Sequence, residues 1–542
     1  MPNSMSTLSV FRNQTFRMLW IATLASNFGG LVQSVGAAWM MTTLSSSPGM
    51  VALVQASVTL PIMIFSLAAG VFADNFDRRK IMLAAQGFML LVSLTLAVLA
   101  YQGLLTPWLL LSFTFLIGCG TALHNPSWQA TVGDIVPRDD LPAAVSVNSM
   151  GFNMMRSVGP AAGGAIVAIA GAAAAFAVNA LSYIAIIAAL FFWKPEKAQR
   201  RLPREPFGGA FAAGLRYVAM SPNLIRVILR GFLFGLAAVA IQALLPLVVR
   251  EHLDGDAIVY GTLLGCFGFG AVAGALANAL LRARFSNETI TRLGFLGFAA
   301  STAALALSNI VAIDAIALLI AGACWVISLS LFNVTMQLST PRWVVGRVLA
   351  LYQTGVFGGM AGGSWIWGTL SDSFGVTAAL LVAAIVLILG IFVGLLAPLP
   401  DSTELNLDPL NRFQEPPLEL ELTQRSGPIM ILVDYEIAQD DVPAFLALMA
   451  QRRRVRIRDG AQQWALLRDL ENPDIWSETY HVPTWVEYIR HHERRTHADA
   501  DVFDRLLALH KGTGPMRVHR MIERQTISPS DNMPRKPRAA QE

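Results

Sequence analysis

Charge is what this chain has least of. Of its 542 residues only 14% are Asp, Glu, Lys or Arg, whereas soluble domains average about 25%. The shortage is local: Phe16 to Pro398 is almost uninterrupted apolar sequence, and the rest has ordinary composition. The 3 cysteines, Cys119, Cys266 and Cys324, all fall inside apolar runs. That argues against a disulfide framework or a cysteine zinc site and says nothing about redox compartment. No Gly-rich phosphate loop ending in Lys and Ser/Thr is present, which argues against direct use of ATP. A net charge of +4 is small for the length, and the pI of about 9.1 reads as loop arginines, not nucleic-acid binding. No cofactor and no metal are expected. A cleavable leader is not evident: the first apolar run is too long and has no cleavage region, so it is expected to remain as a membrane span.

What fills the chain instead is hydrocarbon, at a mean hydropathy of +0.52. Crossing a bilayer takes about 20 apolar residues per helix. Apolar stretches between short polar breaks give twelve such segments, at about 16–43, 49–73, 80–102, 106–131, 141–170, 172–193, 223–250, 257–281, 289–309, 312–339, 345–370 and 375–398. A polar segment at 194–222 separates the sixth from the seventh, so the pattern is six, linker, six. Basic residues mark alternate loops: Arg12 and Arg17, Arg78 to Lys80, Arg138, Lys194 to Arg204, Arg282 and Arg284, Arg342 and Arg347. The opposite loops, 45–49, 103–107 and 371–375, have none, and Arg250 is the exception. Positive charge stays inside, so both termini are expected in the cytoplasm and the spans should be even in number, in the inner membrane.

The two halves repeat. Gly70, Asp74 and Arg78 recur 204 positions later as Gly274, Asn278 and Arg282, and Pro137-Arg138 recurs at Pro341-Arg342 with the same offset. Asn125 and Gln129 match Asn333 and Gln337 at 208, and GPAAGG at 159–164 matches GGMAGG at 358–363 at 199. Four matches in one order imply duplicated bundles, an arrangement that usually moves solutes. On these residues the chain resembles the major facilitator superfamily. Residues 70–80 resemble its signature between the second and third spans, with Asp77 where the family has glycine. Gly159-Pro160-x2-Gly163-Gly164 resembles the fifth-span motif of the superfamily's exporters, with Met155 where a further glycine is usual. Most closely the chain resembles the subgroup of enterobactin-type siderophore exporters, the transmembrane secretion effectors, over nearly its whole length.

That resemblance implies a conformational latch of Asp74, Arg78 and Arg79, with Asp134 and Arg282, at the cytoplasmic surface. The competing reading of the arginines is topogenic charge. Gly159, Pro160, Gly163 and Gly164 would let the fifth span bend and pack closely, against the GGMAGG helix for example. Polar residues inside spans usually face a cavity or one another. The candidates are Asn27, Gln33, His124, Asn125, Gln129, Arg156, Gln242, Asn333 and Gln337, with Trp39 and Trp325 as aromatic surface. Helix–helix hydrogen bonding is the alternative for each amide, and interfacial anchoring for each tryptophan. No carboxylate lies near the middle of a span, so protons as the coupling ion rest on the resemblance alone.

After Pro400 the composition changes. Residues 399–426 read as a linker, 427–525 as a soluble domain and 526–542 as a disordered tail. Within the domain, strands at 427–437, 463–469, 474–481 and 515–523 and helices at 441–454 and 483–510 give a β-α-β-β-α-β order, ferredoxin-like. It resembles the dimeric α+β-barrel domain often fused to this subgroup, which allows a homodimer. His491, His492 and His497 read as solvated helix surface, and the basic run Arg452 to Arg458 as a solvated face or a contact with the anionic inner leaflet. The expected fold is therefore an all-α polytopic membrane protein of twelve helices in two six-helix bundles, 16–193 and 223–398, plus a small α+β domain. Residues 1–15 would be a cytoplasmic segment and 194–222 a cytoplasmic inter-bundle linker. The expected function is secondary export of a small amphipathic molecule, a siderophore, drug or secondary metabolite, by proton antiport, and no enzyme. The alternatives are an importer of the same fold, or a membrane-tethered enzyme or sensor whose activity lies in the tail.

Overall fold

A computed structural model describes residues 9–137, 140–194, 207–396, 398–399, 406–408, 410, 413, 415–512, 514 and 516–523. The helices that carry the apolar segments are α1 (Gln14–Leu44), α2 (Pro48–Asn75), α3 (Arg78–Tyr101), α4 (Pro107–Ile135) and α5 (Leu141–Phe192). A short helix, α6 (Phe207–Ala219), follows. The second half comprises α7 (Pro222–Glu251), α8 (Ala257–Arg284), α9 (Asn287–Leu307), α10 (Val311–Leu338), α11 (Val345–Phe374) and α12 (Val376–Leu396). Among the described residues 10 helices are long and apolar enough to cross a membrane. One of them, α5, is 52 residues long and leaves helical geometry at Gly171, whose φ is +78°. Glycine adopts that left-handed backbone without a steric penalty, so α5 is two spans joined at one residue. Helix α11 is 30 residues long; its Gly, Ser and Thr content keeps it out of the more apolar set. Counted this way, the helices follow the twelve apolar segments of the sequence.

The helix starts are chemically explicit. Asn13, Ser47, Thr106, Asp256 and Ser286 each accept a backbone N–H of the first turn of α1, α2, α4, α8 and α9 respectively. Such caps satisfy donors that the helix cannot. Asp77, at the position where the superfamily signature has glycine, does the same for α3, accepting from Arg79 N and Lys80 N. The departure from the motif thus supplies a helix cap. Outward-facing side chains are apolar, such as Leu91, Ile169 and Leu396, as a hydrocarbon solvent requires.

The chain divides into two compact units. The first holds 1–199, 223–336 and 349–401; the second holds 200–222, 337–348 and 402–542. The second unit contains α6, the α10–α11 connection and the tail. The tail runs β1 (Ile429–Glu436), α13 (Val442–Arg458), β2 (Gln462–Arg468), β3 (Ile475–Val482), α14 (Trp485–Glu493), α15 (His497–Leu509) and β4 (Arg517–Ile522). Its four strands form an antiparallel sheet in the order β2-β3-β1-β4. This is the expected order of elements, with the second helix broken in two at Arg494–Thr496. Ile429, Ile431, Val433 and Tyr435 alternate inward along β1 and pack with Phe445, Met449, Tyr480 and Tyr488.

Candidate functional site

The two bundles of the first unit meet along α5 and α8. Gly164 lies so close to the second bundle that a Cβ there would collide with Ala257 O, and one on Gly261 would come within 2.6 Å of Pro160 O. Small residues on both helices permit this backbone approach. The helix packed on the Gly159–Gly164 segment is therefore α8, together with α1 through Leu31, Val32 and Val35. It is not the GGMAGG helix, whose Gly359 and Gly363 close instead on α7 at Phe232 and Leu236. Pro160 sits inside α5, which stays helical around it; the motif packs the helix and does not break it.

One turn earlier stands Arg156. Its guanidinium lies 5.3 Å from the ring centre of Phe267 on α8 and 5.7 Å from that of Trp325 on α10. Among the described residues it makes neither hydrogen bond nor ion pair, so aromatic faces of the opposite bundle are its principal partners. A desolvated cation–π contact contributes about 2 kcal/mol. Trp325 belongs to an aromatic group in the second bundle with Phe234, Phe267 and Phe298 at 5.9, 6.0 and 6.2 Å. Neither Phe267 nor Phe234 was legible as a site residue, because phenylalanine in a span reads as lipid-facing bulk.

Further contacts join the bundles. Gln55 Nε2 on α2 donates to Gln242 Oε1 on α7 at 3.3 Å, and Trp39 stacks on Tyr260 at 6.1 Å. Arg250 donates to Thr42 O. Asp372 accepts from Ser47 Oγ at 3.0 Å and Gly49 N at 3.1 Å, a carboxylate placed on the positive end of α2. Ser66 Oγ is 2.8 Å from Thr354 Oγ1 on α11. Thr42, Ser47, Gly49 and Asp372 lie in or beside loops 45–49 and 371–375, which lack basic residues.

Other candidates spend their polarity inside one bundle. Gln33 is buried and accepts from Ser93 Oγ at 2.9 Å and from Asn179 Nδ2. Asn179 also donates to Tyr183 OH at 3.0 Å. His124 Nδ1 lies 3.2 Å from Gln86 Nε2, and both residues are buried. These are links among α1, α3, α4 and α5. Asn27 is half-buried, while Asn125, Gln129 and Gln337 are exposed, and Asn333 is half-buried. Asp314, at the start of α10, is fully buried. A salt bridge absent from the sequence reading ties α7 to α9: Arg230, 1% exposed, meets Glu288 Oε1 at 3.3 Å, and Glu288 also accepts Leu399 N at 3.2 Å.

Of the latch residues, Arg78 Nη1 donates to Ala130 O at 3.0 Å. Arg79 donates to Leu190 O at 2.8 Å and Phe191 O at 2.7 Å. These bonds tie α3 to the ends of α4 and α5. Arg282 is exposed. Asn278 Nδ2, at the position matching Asp74, donates to Ser330 Oγ at 3.0 Å. The side chains of Asp74 and Asp134 lie outside the described residues.

In the tail the structure corrects two expectations. The basic run is not solvated throughout: Arg453 and Arg454 are exposed, but Arg452 Nε and Arg456 Nε meet Glu478 at 2.8 and 3.1 Å, and all three are buried. Burial alone would raise the Glu478 carboxyl, but Arg456 and Arg452 outweigh it and hold it well below the usual carboxylate range. Tyr435 OH and Trp464 Nε1 also donate to it, at 2.9 and 3.0 Å. His491 is likewise buried, at 1% exposure, and not on the surface. Alternation along β3 was the available signal, since it places Glu478 on the inward face between Trp476 and Tyr480.

A family of transmembrane secretion effectors matches residues 5–527. The chain belongs to that family, a branch of the major facilitator superfamily. It is a multi-pass membrane transporter. It is 26% identical over 225 residues to macrolide efflux protein A of Enterococcus faecalis, covering 39% of this chain and 70% of that one. With the staphyloferrin A transporter of Staphylococcus aureus it shares 25% over 255 residues, 46% of this chain and 62% of the relative. With the multidrug efflux pump Tap of Mycobacterium bovis it shares 23% over 422 residues, 75% of this chain and 98% of the other. Among solved structures, a bacterial homologue of the human lysosomal transporter Spinster is similar at a TM-score of 0.54 and 15% identity, covering 72% of this chain and 96% of the other. A peptide-carrying POT family transporter complex matches at 0.59 and 12%, covering 71% and 96%. At such identities the likeness concerns the fold.

Proposed function

We propose that the transporter exports a small amphipathic molecule, such as a siderophore, drug or secondary metabolite, across the cell membrane by alternating access with protons as counter-ion. The observation that carries the reading is Arg156 set on Phe267 and Trp325 of the opposite bundle, next to the α5–α8 glycine contact. A cation held by aromatic faces can exchange them for the anionic or carbonyl group of an arriving solute, while the aromatics take up its apolar body. Asn27, Trp39, Asn125, Gln129, Gln242, Asn333 and Gln337 are the further cavity candidates. Gln33 and His124 act from behind, fixing the helices. The relatives named for macrolide efflux and multidrug efflux support outward transport, the staphyloferrin A transporter supports a siderophore as cargo, and the Gly159–Gly164 segment supports export through family likeness. Protons as coupling ion rest on the family. Asp74, Arg78, Arg79, Asp134 and Arg282 form the latch in this reading, and the basic loops and both termini face the cytoplasm.

Efflux of catecholate siderophores and lipophilic dyes from cells, with and without a proton gradient, tests the proposal. Gradient-dependent export by the wild type, lost in Asp74→Asn, supports it. Accumulation in place of export makes the protein an importer, and flux that ignores the gradient removes the antiport.

A further inference from the structure

The second unit contains a cavity of about 610 Å³ between the sheet and helices α13 to α15, a volume that suits a drug-sized molecule. Its walls combine aromatic rings, Tyr480 and Tyr488, with cations, Arg456 and Arg495. The cations differ in how they are paired. Arg456 is held by Glu478 at 3.1 Å, and Arg520 Nε donates to Tyr488 OH at 2.6 Å. Arg495 has neither hydrogen bond nor ion pair on its guanidinium among the described residues. Burial, with Arg456 nearby, lowers its pKa to about 10, so it still carries charge at neutral pH.

His491 stands behind Arg456 and accepts from it. Its Nε2 lies 2.9 Å from Arg456 Nη1. A guanidinium can only donate, so Nε2 accepts and the proton sits on Nδ1. Burial and Arg456 keep the ring neutral. Nδ1 is buried and has no hydrogen-bond partner. Of the carboxylates at the wall, Asp459 and Asp499 pair with Arg458 at 3.0 Å each, Asp459 also acts on Arg495 through space, and Asp504 is exposed. An unpaired cation on the wall of a partly aromatic cavity costs stability unless an anion arrives.

We propose that this cavity is a binding site for a small aromatic carboxylate, distinct from the transport pathway, whose anionic group bonds Arg495 and whose ring lies among Tyr480 and Tyr488. The site has a physical route to the transporter's own segments. Helix α13 carries Arg452 and Arg456 and ends at Arg458-Asp459. There Arg216 of α6 donates to Arg458 O at 3.3 Å, and the Arg458 guanidinium lies 5.2 Å from the Tyr217 ring. Arg494, one residue before the free cation, covers Trp343 of the α10–α11 connection at 4.5 Å.

Calorimetric titration of the purified full-length protein with 2-naphthoate, and with its neutral isostere 2-naphthamide, tests the site. Naphthoate should bind at least tenfold more tightly than the amide. Arg495→Gln should weaken naphthoate at least tenfold and leave amide binding as it was, while Arg156→Gln, in the membrane unit, should leave naphthoate binding unchanged. Ala500→Phe, which fills the cavity from α15, should abolish it and covers the case in which Arg495→Gln does not fold. Equal affinity for the two probes, no binding of naphthoate, or binding that survives both tail substitutions overturns the proposal. Loss in Arg156→Gln also overturns it, because the ligand would then sit in the transport cavity.

Discussion

Single residues carry the chemistry here, and Arg156 is the first to test. A cation in a span is expensive unless it is partnered, and this one rests on Phe267 and Trp325. Lysine keeps the charge but not the planar guanidinium that lies over rings. Arg156→Lys should reduce export several-fold and Arg156→Gln at least tenfold, at unchanged membrane abundance, in dye or siderophore efflux normalised to protein. Unaltered export in the glutamine variant would reduce Arg156 to packing. Glu478 is the counterpart in the tail. Removing its charge leaves Arg452 and Arg456 buried without a partner, so Glu478→Gln should cost about 3 kcal/mol or more. The pH dependence follows from the shifts. Glu478 is held below its ordinary value and His491 below 6.5. In both cases the folded state binds fewer protons than the unfolded one, so their stabilisation fades as the solution is acidified. Asp459 acts oppositely: burial, only partly offset by Arg458, raises it to about 6, which lowers stability as pH rises through that value. Protection of β1 and β3 amides from hydrogen exchange, corrected for intrinsic rates, should therefore fall from pH 7 to 4. Asp459→Asn should make that fall steeper.

At the scale of the element, span positions and helix starts were legible because they depend on local chemistry. Twenty apolar residues need a membrane, and a Ser, Thr, Asn or Asp in front of a helix caps it. Ser47-Pro48 and Thr106-Pro107 announce α2 and α4 directly. Partners were not legible, since they depend on which helix faces which. The Gly159–Gly164 segment advertised close packing but not α8. Gln33, read as a cavity amide, is bonded to Ser93 and Asn179, 60 and 146 residues away. Arg452 and Arg456 looked solvated because their acid lies 26 and 22 residues further on, on a strand. The α5–α8 contact itself yields a prediction. A side chain at Gly164 or Gly261 must displace the facing backbone, which cannot yield as a flexible side chain can. Gly164→Val or Gly261→Val should leave the protein in the membrane and reduce export at least tenfold. Gly171→Ala is the contrast: nothing lies within 4 Å, so its cost is the strained backbone alone, about 1–3 kcal/mol, and transport should persist.

Across the whole molecule the chain is threaded in and out of its second unit. Residues 207–222 and 337–348 interrupt the membrane unit, and both pack with the tail. Tyr217 is 3% exposed and meets Trp343 edge-on at 5.8 Å, with Arg458 and Arg494 over the two rings. Ending the chain at Pro400 takes away those arginines and uncovers the aromatic pair. Exposed apolar surface of this kind lowers solubility and stability. Detergent-solubilised protein ending at Pro400 should therefore melt several degrees lower and give less monodisperse material, and Tyr217→Gln with Trp343→Gln should restore the yield. The substitutions act only if the loss arises from the uncovered rings. Export per molecule separates an accessory tail from an essential one. If the rescued short chain transports at the wild-type rate, the membrane unit is sufficient and the tail modulates it through α6 and 337–348. If it is stable yet inactive, the second unit belongs to the transport cycle itself, and the ties at Arg216–Arg458 and Trp343–Arg494 become part of the moving machinery.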